Sequence, residues 1–147
     1  MSKKRILCVV GYAATAVLVC WNLARQPRII DIHRDGNIVA VIAEQLHYFD
    51  RTKINWWKEN EHRIHARLNL SEADASRLSF YVISFNEGYE QPDDSDQLCF
   101  DDMTSPARCL QKNYLLVVKH SSREPVEYCG DEHCYVDATD GSLVRIR

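Results

Sequence analysis

Residues 6–23 read ILCVVGYAATAVLVCWNL, eighteen consecutive positions without a charge. As a helix rising 1.5 Å per residue this run spans roughly 27 Å, close to the roughly 30 Å of hydrocarbon in a bilayer. A helix buried in a globular core keeps one polar face, and this run has none. Lys3, Lys4 and Arg5 stand just before it, and Arg25 and Arg28 follow. The pattern predicts one transmembrane helix. The basic cluster ahead of it predicts a cytoplasmic N-terminus, with the rest of the chain on the far side.

The run also predicts an anchor that stays attached. Ala14-Thr15-Ala16 has the small-x-small form of a cleavage site, but it falls inside the run, with Val17-Leu18-Val19 still to come. Val19 stands before Cys20, where a lipidated cysteine needs a small residue. The chain therefore divides into residues 1–26, basic residues plus anchor, and residues 27–147, one domain's worth of sequence. All 21 acidic residues follow Leu23, whereas 14 of the 18 basic residues lie from Arg28 onward, so the second part carries about −7. Such a surface repels nucleic acid and suits a basic protein partner.

Six cysteines are present. Cys8 and Cys20 fall in the apolar run. Cys99, Cys109, Cys129 and Cys134 fall outside it, and outside the cytoplasm an even number reads as disulfides. Three pairings are open, and the local one, Cys99 with Cys109 and Cys129 with Cys134, is preferred.

Residues 28–33 and 38–42 are short β-branched runs around the turn signal Asp35-Gly36-Asn37, a hairpin. Residues 50–68 carry helical periodicity, with Asp50 or Thr52 as the cap. Ile54, Trp57, Ile64 and Leu68 share a face with Glu61. Ser71 opens a short helical turn. Residues 78–85 and 114–119 read as buried strands, 86–97 as a loop, and 126–129, 134–136 and 143–146 as further strands. The fold class is α+β: an N-terminal transmembrane helix, then a small antiparallel sheet with one main helix packed on a face.

Two surfaces are candidates for partner binding. Trp56 points about 100° away from Trp57, on the side of Arg63 and Arg67, and an exposed tryptophan beside arginines has the make-up of a binding hot spot. The alternative is that the helix packs on two sides and Trp56 is core. The second surface is acidic: Asp93, Asp94, Asp96, Asp101 and Asp102. The acidic loop lacks the central glycine and the closing glutamate of an EF-hand, so it reads as a solvated loop. His62 and His65 are three apart, where zinc prefers i and i+4, and no third ligand is evident, so they read as solvated. Cys129, Cys134, His133 and His120 have the types of a zinc set, but the thiols are expected to pair with one another. There is no G-x-S-x-G around a serine and no C-x-x-C. Asp101 and Asp102, as neighbours on a strand, face opposite ways. The expectation is a protein that is not an enzyme and needs no cofactor or metal.

The run Lys53-Ile54-Asn55-Trp56-Trp57-Lys58-Glu59-Asn60, then Cys99-Phe100-Asp101-Asp102-Met103, then Cys109 before Lys112-Asn113, resembles an enterobacterial family of membrane proteins of unknown function (domain of unknown function 943). The resemblance covers most of residues 1–120. Cys129 and Cys134 lie outside its pattern, so their pairing rests on spacing. It implies a Gram-negative inner-membrane anchor and a periplasmic domain, and no activity. The functional expectation is a membrane-anchored periplasmic domain that binds a protein. One version is an immunity protein that occludes a basic-surfaced toxin. The alternative is an accessory subunit of an envelope complex, and a small hydrolase or metal-binding protein ranks below both.

Overall fold

The computed structural model describes residues 3–24, 26–121 and 124–147, and the side chains of 11–21, 26–121 and 124–147. The chain opens with α1 (Lys3–Ala24). Among the described residues no helix is long and apolar enough to cross a membrane. The expected span over 6–23 falls in part, at 6–10 and 22–23, outside the described side chains. Cys8 lies there too, while Cys20 is an exposed free thiol. Tyr12, Val17, Leu18, Val19 and Trp21 of α1 are all exposed.

The hairpin is β1 (Arg28–Asp35) and β2 (Ile38–Glu44), antiparallel, with Asp35 opposite Ile38. Gly36 sits at the tip with φ +56°, a left-handed conformation that glycine adopts without a Cβ penalty. The register slips between Ile29 and Asp31, a bulge that sets Ile30 and Asp31 apart from strict alternation. Next come α2 (Asp50–Arg67), α3 (Glu72–Ala75) and β3 (Ser79–Ser84). Ser71 caps α3, its hydroxyl accepting from Asp74 N at 3.2 Å. Then follow β4 (Gln97–Cys99), β5 (Cys109–Gln111), β6 (Tyr114–Lys119), β7 (Glu127–Cys129), β8 (Cys134–Asp137) and β9 (Leu143–Arg145).

Seven strands form one sheet in the order β1-β2-β3-β6-β7-β8-β9, and β4-β5 form a separate pair. The sheet is mixed, which corrects the expectation of a purely antiparallel one: β2 and β3 run parallel, Val41 beside Val82. The reason is α2. A helix between two strands carries the chain back to the starting end, so the next strand runs the same way as the last.

Alternation along the inner strands sorts the core into two halves. Val39, Val41, Phe80, Val82, Leu116 and Val118 pack on one side with Ile54, Trp56, Trp57 and Ile64 of α2. Ala40, Ile42 and Ile83 pack on the other with Phe100 and Leu110 from the β4-β5 segment. The sheet is thus a middle layer, with α2 on one face and the β4-β5 lobe on the other.

The expected cap of α2 needs correction. Phe49 is its N-cap and makes no side-chain capping bond. Asp50 turns instead to the β7-β8 turn, accepting from Asp131 N at 3.3 Å and standing 3.6 Å from Lys53 Nζ. Lys53 is 1% exposed and also pairs with Asp131. Of the two readings of Trp56, an exposed hot spot or a core side chain of a helix packed on two sides, the structure has the second: Trp56 is 8% exposed and belongs to the core. The helix lies over Tyr128 and Tyr135 of β7 and β8 as well as over the sheet centre, so its buried arc is wider than a single stripe. Lys58 pairs with Asp137 and sits over the Tyr128 ring on this flank.

Candidate functional site

The lobe between β3 and β6, residues 86–113, holds seven acidic and two basic residues. Residues 27–147 carry a net charge of −7, and −5 of it falls on this one excursion. Its backbone is held in three ways. Gln97, Leu98 and Cys99 pair with Gln111, Leu110 and Cys109. The Cys99–Cys109 disulfide joins the last of these pairs. Glu90 and Cys109 exchange backbone hydrogen bonds at 2.8 and 3.0 Å. Leu110 and Phe100 then anchor the lobe on Ala40, Ile42 and Ile83. The second disulfide, Cys129–Cys134, crosses the neck of the β7-β8 turn, so both local pairings are present.

A polar clasp joins the lobe to the hairpin. Asp31, His33 and Asp35 alternate along β1, and His33, opposite Ala40, faces the lobe. Its ring stacks on Phe100 with centroids 3.9 Å apart. Nδ1 is 2.9 Å from both carboxylate oxygens of Asp102. A carboxylate accepts only, so Nδ1 carries the proton and donates. Nε2 is 2.8 Å from the Tyr89 hydroxyl, which also lies 3.4 Å from Asp31 Oδ2. Burial first, then the charges of Asp31 and Asp102, push the Tyr89 hydroxyl far above its ordinary range. Tyr89 therefore keeps its proton and acts as a donor, and the chain from half-exposed Asp102 through buried His33 to Tyr89 works as a tie, not as an activated nucleophile.

Beside the clasp lies an open groove of about 260 Å³. Ile38, Ala40, Leu98 and Phe100 line it with the polar groups Arg34, Asp35, Asp101 and Asp102. The Asp101 side chain is 94% exposed and 3.4 Å from Arg108. At the other end of the β4-β5 pair, Asp93, Asp94 and Asp96 lead into Gln97. Asp96, 82% exposed, pairs with Lys112. Hydrogen bonds from Ser95 hold the Asp93 carboxyl below its usual range. Asp94 is exposed.

The sequence-derived candidates therefore divide three ways. Asp93, Asp94, Asp96, Asp101 and Asp102 share the lobe, at its two ends, and Asp102 is committed to His33. Arg63 and Arg67 are exposed on α2, across the sheet from the lobe, with Arg63 Nη1 donating to Asn60 Oδ1 at 3.2 Å. Trp56 is core. His33 and Tyr89 were missed by the sequence reading. The signal available was the alternation Asp31-x-His33-x-Asp35 on one strand face, but Tyr89 and Asp102 are 56 and 69 residues from His33.

Metal-ligating types also meet at Glu127, Cys129 and Cys134, where the two sulfurs are bonded to each other and offer no thiolate. His62 is exposed as expected, but His65 is not solvated: it lies half-buried beside Glu61 and His120. Burial holds the His65 imidazole below its ordinary value. The His120 imidazole, whose Nε2 stands 3.6 Å from Glu61 Oε1, is the first cause of a lowered Glu61 carboxyl.

A family model described as enterobacterial putative membrane protein (DUF943) matches residues 1–147. No curated protein and no solved structure matches the chain.

Proposed function

Because the chain belongs to the DUF943 family, whose description is enterobacterial putative membrane protein, we propose that it is a single-pass inner-membrane protein whose periplasmic domain captures a protein partner on the acidic lobe. Residues 6–23 serve as the anchor, with the N-terminus in the cytoplasm. The support is the uncharged run itself, the basic residues ahead of it, and the two disulfides, which belong to an oxidising compartment. Tyr48, 78% exposed, lines a cleft with Trp21 of α1 and Pro27, and the exposed Phe49 ring stands edge-on to it. Aromatic side chains of this kind favour the bilayer interface.

The observation that carries the binding reading is the concentration of charge on a rigid platform. Five of the seven acids on the lobe stand at the two ends of a disulfide-closed strand pair, and Asp101 projects almost fully into solvent. A preorganised acidic surface raises the rate of encounter with a basic partner and loses little entropy on docking. The specific form proposed is an immunity protein, tethered where a secreted antibacterial toxin acts and covering the toxin's basic surface. The second form is an accessory subunit of an envelope complex. It is favoured by the exposed Val17, Leu18 and Trp21 of α1, which offer a helix contact.

The test is capture by the full chain in detergent extracts of host envelopes challenged with secreted proteins of competing strains. Wild type is compared with an Asp93→Lys, Asp94→Lys, Asp101→Lys variant. The expected result is one near-stoichiometric basic protein retained by wild type and lost by the variant. Equal retention by both rejects the lobe as the surface. Replacing residues 6–23 with an unrelated anchor leaves an immunity function intact and abolishes one assembled within the membrane.

A further inference from the structure

We propose that the β2-α2 connection, residues 45–49, docks on the bilayer interface beside α1, with the Tyr48 and Phe49 rings set among the lipid headgroups, so that the domain meets the membrane at two points. The proposal rests on the reading of residues 6–23 as the anchor. Outside α1, Tyr48 and Phe49 are the two most exposed large hydrophobic side chains among the described residues, at 78% and 73%. They are adjacent in sequence, and their rings meet edge to face with centroids 5.8 Å apart. Apolar side chains exposed singly need no explanation, but this pair is contiguous and held in place.

Gln45 has φ +59°, a left-handed conformation unfavourable for a residue with a Cβ, and it turns the chain out of β2. Leu46 then packs against the core, so the connection is a fixed projection. Phe49 occupies the N-cap of α2 without a side-chain capping bond, where Ser, Thr, Asp or Asn would satisfy a free N–H. The helix gives up a cap at the position where the ring is exposed.

The occupant follows from what stands beside the pair. Tyr48 shares a cleft with Trp21, Gln26 and Pro27, at the end of α1 and the start of the domain. Trp21 falls in the last turn of α1, which ends at Ala24. With residues 6–23 in the bilayer, Trp21 stands at the outer interface and Tyr48 at the same level. Tyrosine and tryptophan concentrate at this level because the ring is apolar and its polar edge stays wet. Charge beside the rings is mixed, with Arg51, His133, Asp131 and Glu132 lining the neighbouring cleft, so the contact is apolar and does not call for anionic lipid. Arg28 opposite Glu44 marks this same end of the hairpin. The other end, Asp35 opposite Ile38, lies roughly 23 Å farther along β1 at 3.3 Å per residue. The groove with Asp101 and Asp102 is at that far end, against His33, Arg34 and Asp35. Docking at the near end therefore turns the groove away from the lipid, toward a partner arriving from the periplasm.

The test is electron paramagnetic resonance of the full chain in phosphatidylcholine liposomes, in a Cys8→Ser, Cys20→Ser background with both disulfides intact. Nitroxide labels are placed one at a time through Tyr48→Cys, Phe49→Cys, Asn37→Cys on the hairpin tip and Tyr12→Cys in α1. Collision with oxygen, which partitions into lipid, is compared with collision with a water-soluble nickel chelate. The expected result is an oxygen-to-nickel ratio at positions 48 and 49 several-fold above that at position 37 and below that at position 12. Near-UV circular dichroism of the tryptophans checks that each variant is folded, and either of the two loop labels carries the test if the other variant is not. Ratios at positions 48 and 49 equal to that at position 37, with position 12 reading lipid, overturn the docking and leave the anchor standing. A label at position 12 that reads like position 37 overturns the anchor itself, and the docking with it.

Discussion

Gly130→Ala destabilises the domain, and the reason is space. Gly130 is not among the glycines with positive φ, so its backbone suits any residue. A Cβ there would lie 2.0 Å from Asp50 Oδ1 and 2.2 Å from Asp50 Cγ. The Asp50 side chain is 11% exposed and stands 3.6 Å from Lys53 Nζ, while accepting from Asp131 N. Making room for the methyl group means moving this carboxylate off both partners. Overpacking costs about 1–3 kcal/mol, and loss of a hydrogen bond to a charged group costs about 1.5–3 kcal/mol. Partial relaxation toward the exposed side of Asp131 brings the expected total to about 2–4 kcal/mol. For a domain of this size that lowers the midpoint by roughly 10 °C. The assay is thermal and urea unfolding of the full chain in detergent, read through the buried Trp56 and Trp57. In an Asp50→Ala background the clash is gone, so adding Gly130→Ala costs under about 0.5 kcal/mol more, a strong coupling in the double-mutant cycle. A Gly130→Ala variant as stable as wild type, or additive with Asp50→Ala, refutes the reasoning.

Other outcomes follow from the same contacts. Replacing Cys99 and Cys109 by serine opens a loop with a sequence separation of 10 and costs about 3 kcal/mol in the chain-entropy model, measured by urea unfolding with and without reductant. Tyr89→Phe removes the hydroxyl that ties His33 and costs about 1 kcal/mol, whereas His33→Ala strands Asp102, opens a cavity against Phe100 and costs about 2–4 kcal/mol. Stability falls as pH drops from 7.5. The His65 value is lowered from 6.5 by burial, so the unfolded chain takes the proton first and stability is lost as pH passes below 6.5. The Glu61 value is lowered from 4.5, which adds a second loss below 4.5. Stability unchanged between pH 7.5 and 5 contradicts the burial of His65.

Most elements were legible because their signals are local. The β1-β2 hairpin announces itself in Asp35-Gly36-Asn37 between β-branched runs, and α2 in the spacing of Ile54, Trp57 and Ile64. The sequence left Trp56 open between core and surface because periodicity gives the direction of a buried face but not its width, and the width here is set by Tyr128 and Tyr135, some seventy residues later. The parallel β2-β3 pairing was readable in principle from the helix between the strands. The His33 clasp and the meeting of His120 with Glu61 were not. Each joins residues 56 or more positions apart, and nothing in either segment names the other. Charge behaved differently: Asp101 and Asp102 stood out in sequence, yet only the fold separates Asp101, 94% exposed, from the half-exposed Asp102, which is bound to His33.

The most direct measurement is the association rate of the captured partner with the full chain across a range of ionic strength, for wild type and for the Asp93→Lys, Asp94→Lys, Asp101→Lys variant. These three positions avoid Asp96, paired with Lys112, and Asp102, bound to His33. The expected result is a wild-type rate that falls steeply with salt, and a variant rate that is about tenfold lower or more at low salt and nearly flat with added salt. Identical rates and identical salt dependence in the two proteins would contradict the assignment of the acidic lobe as the binding surface.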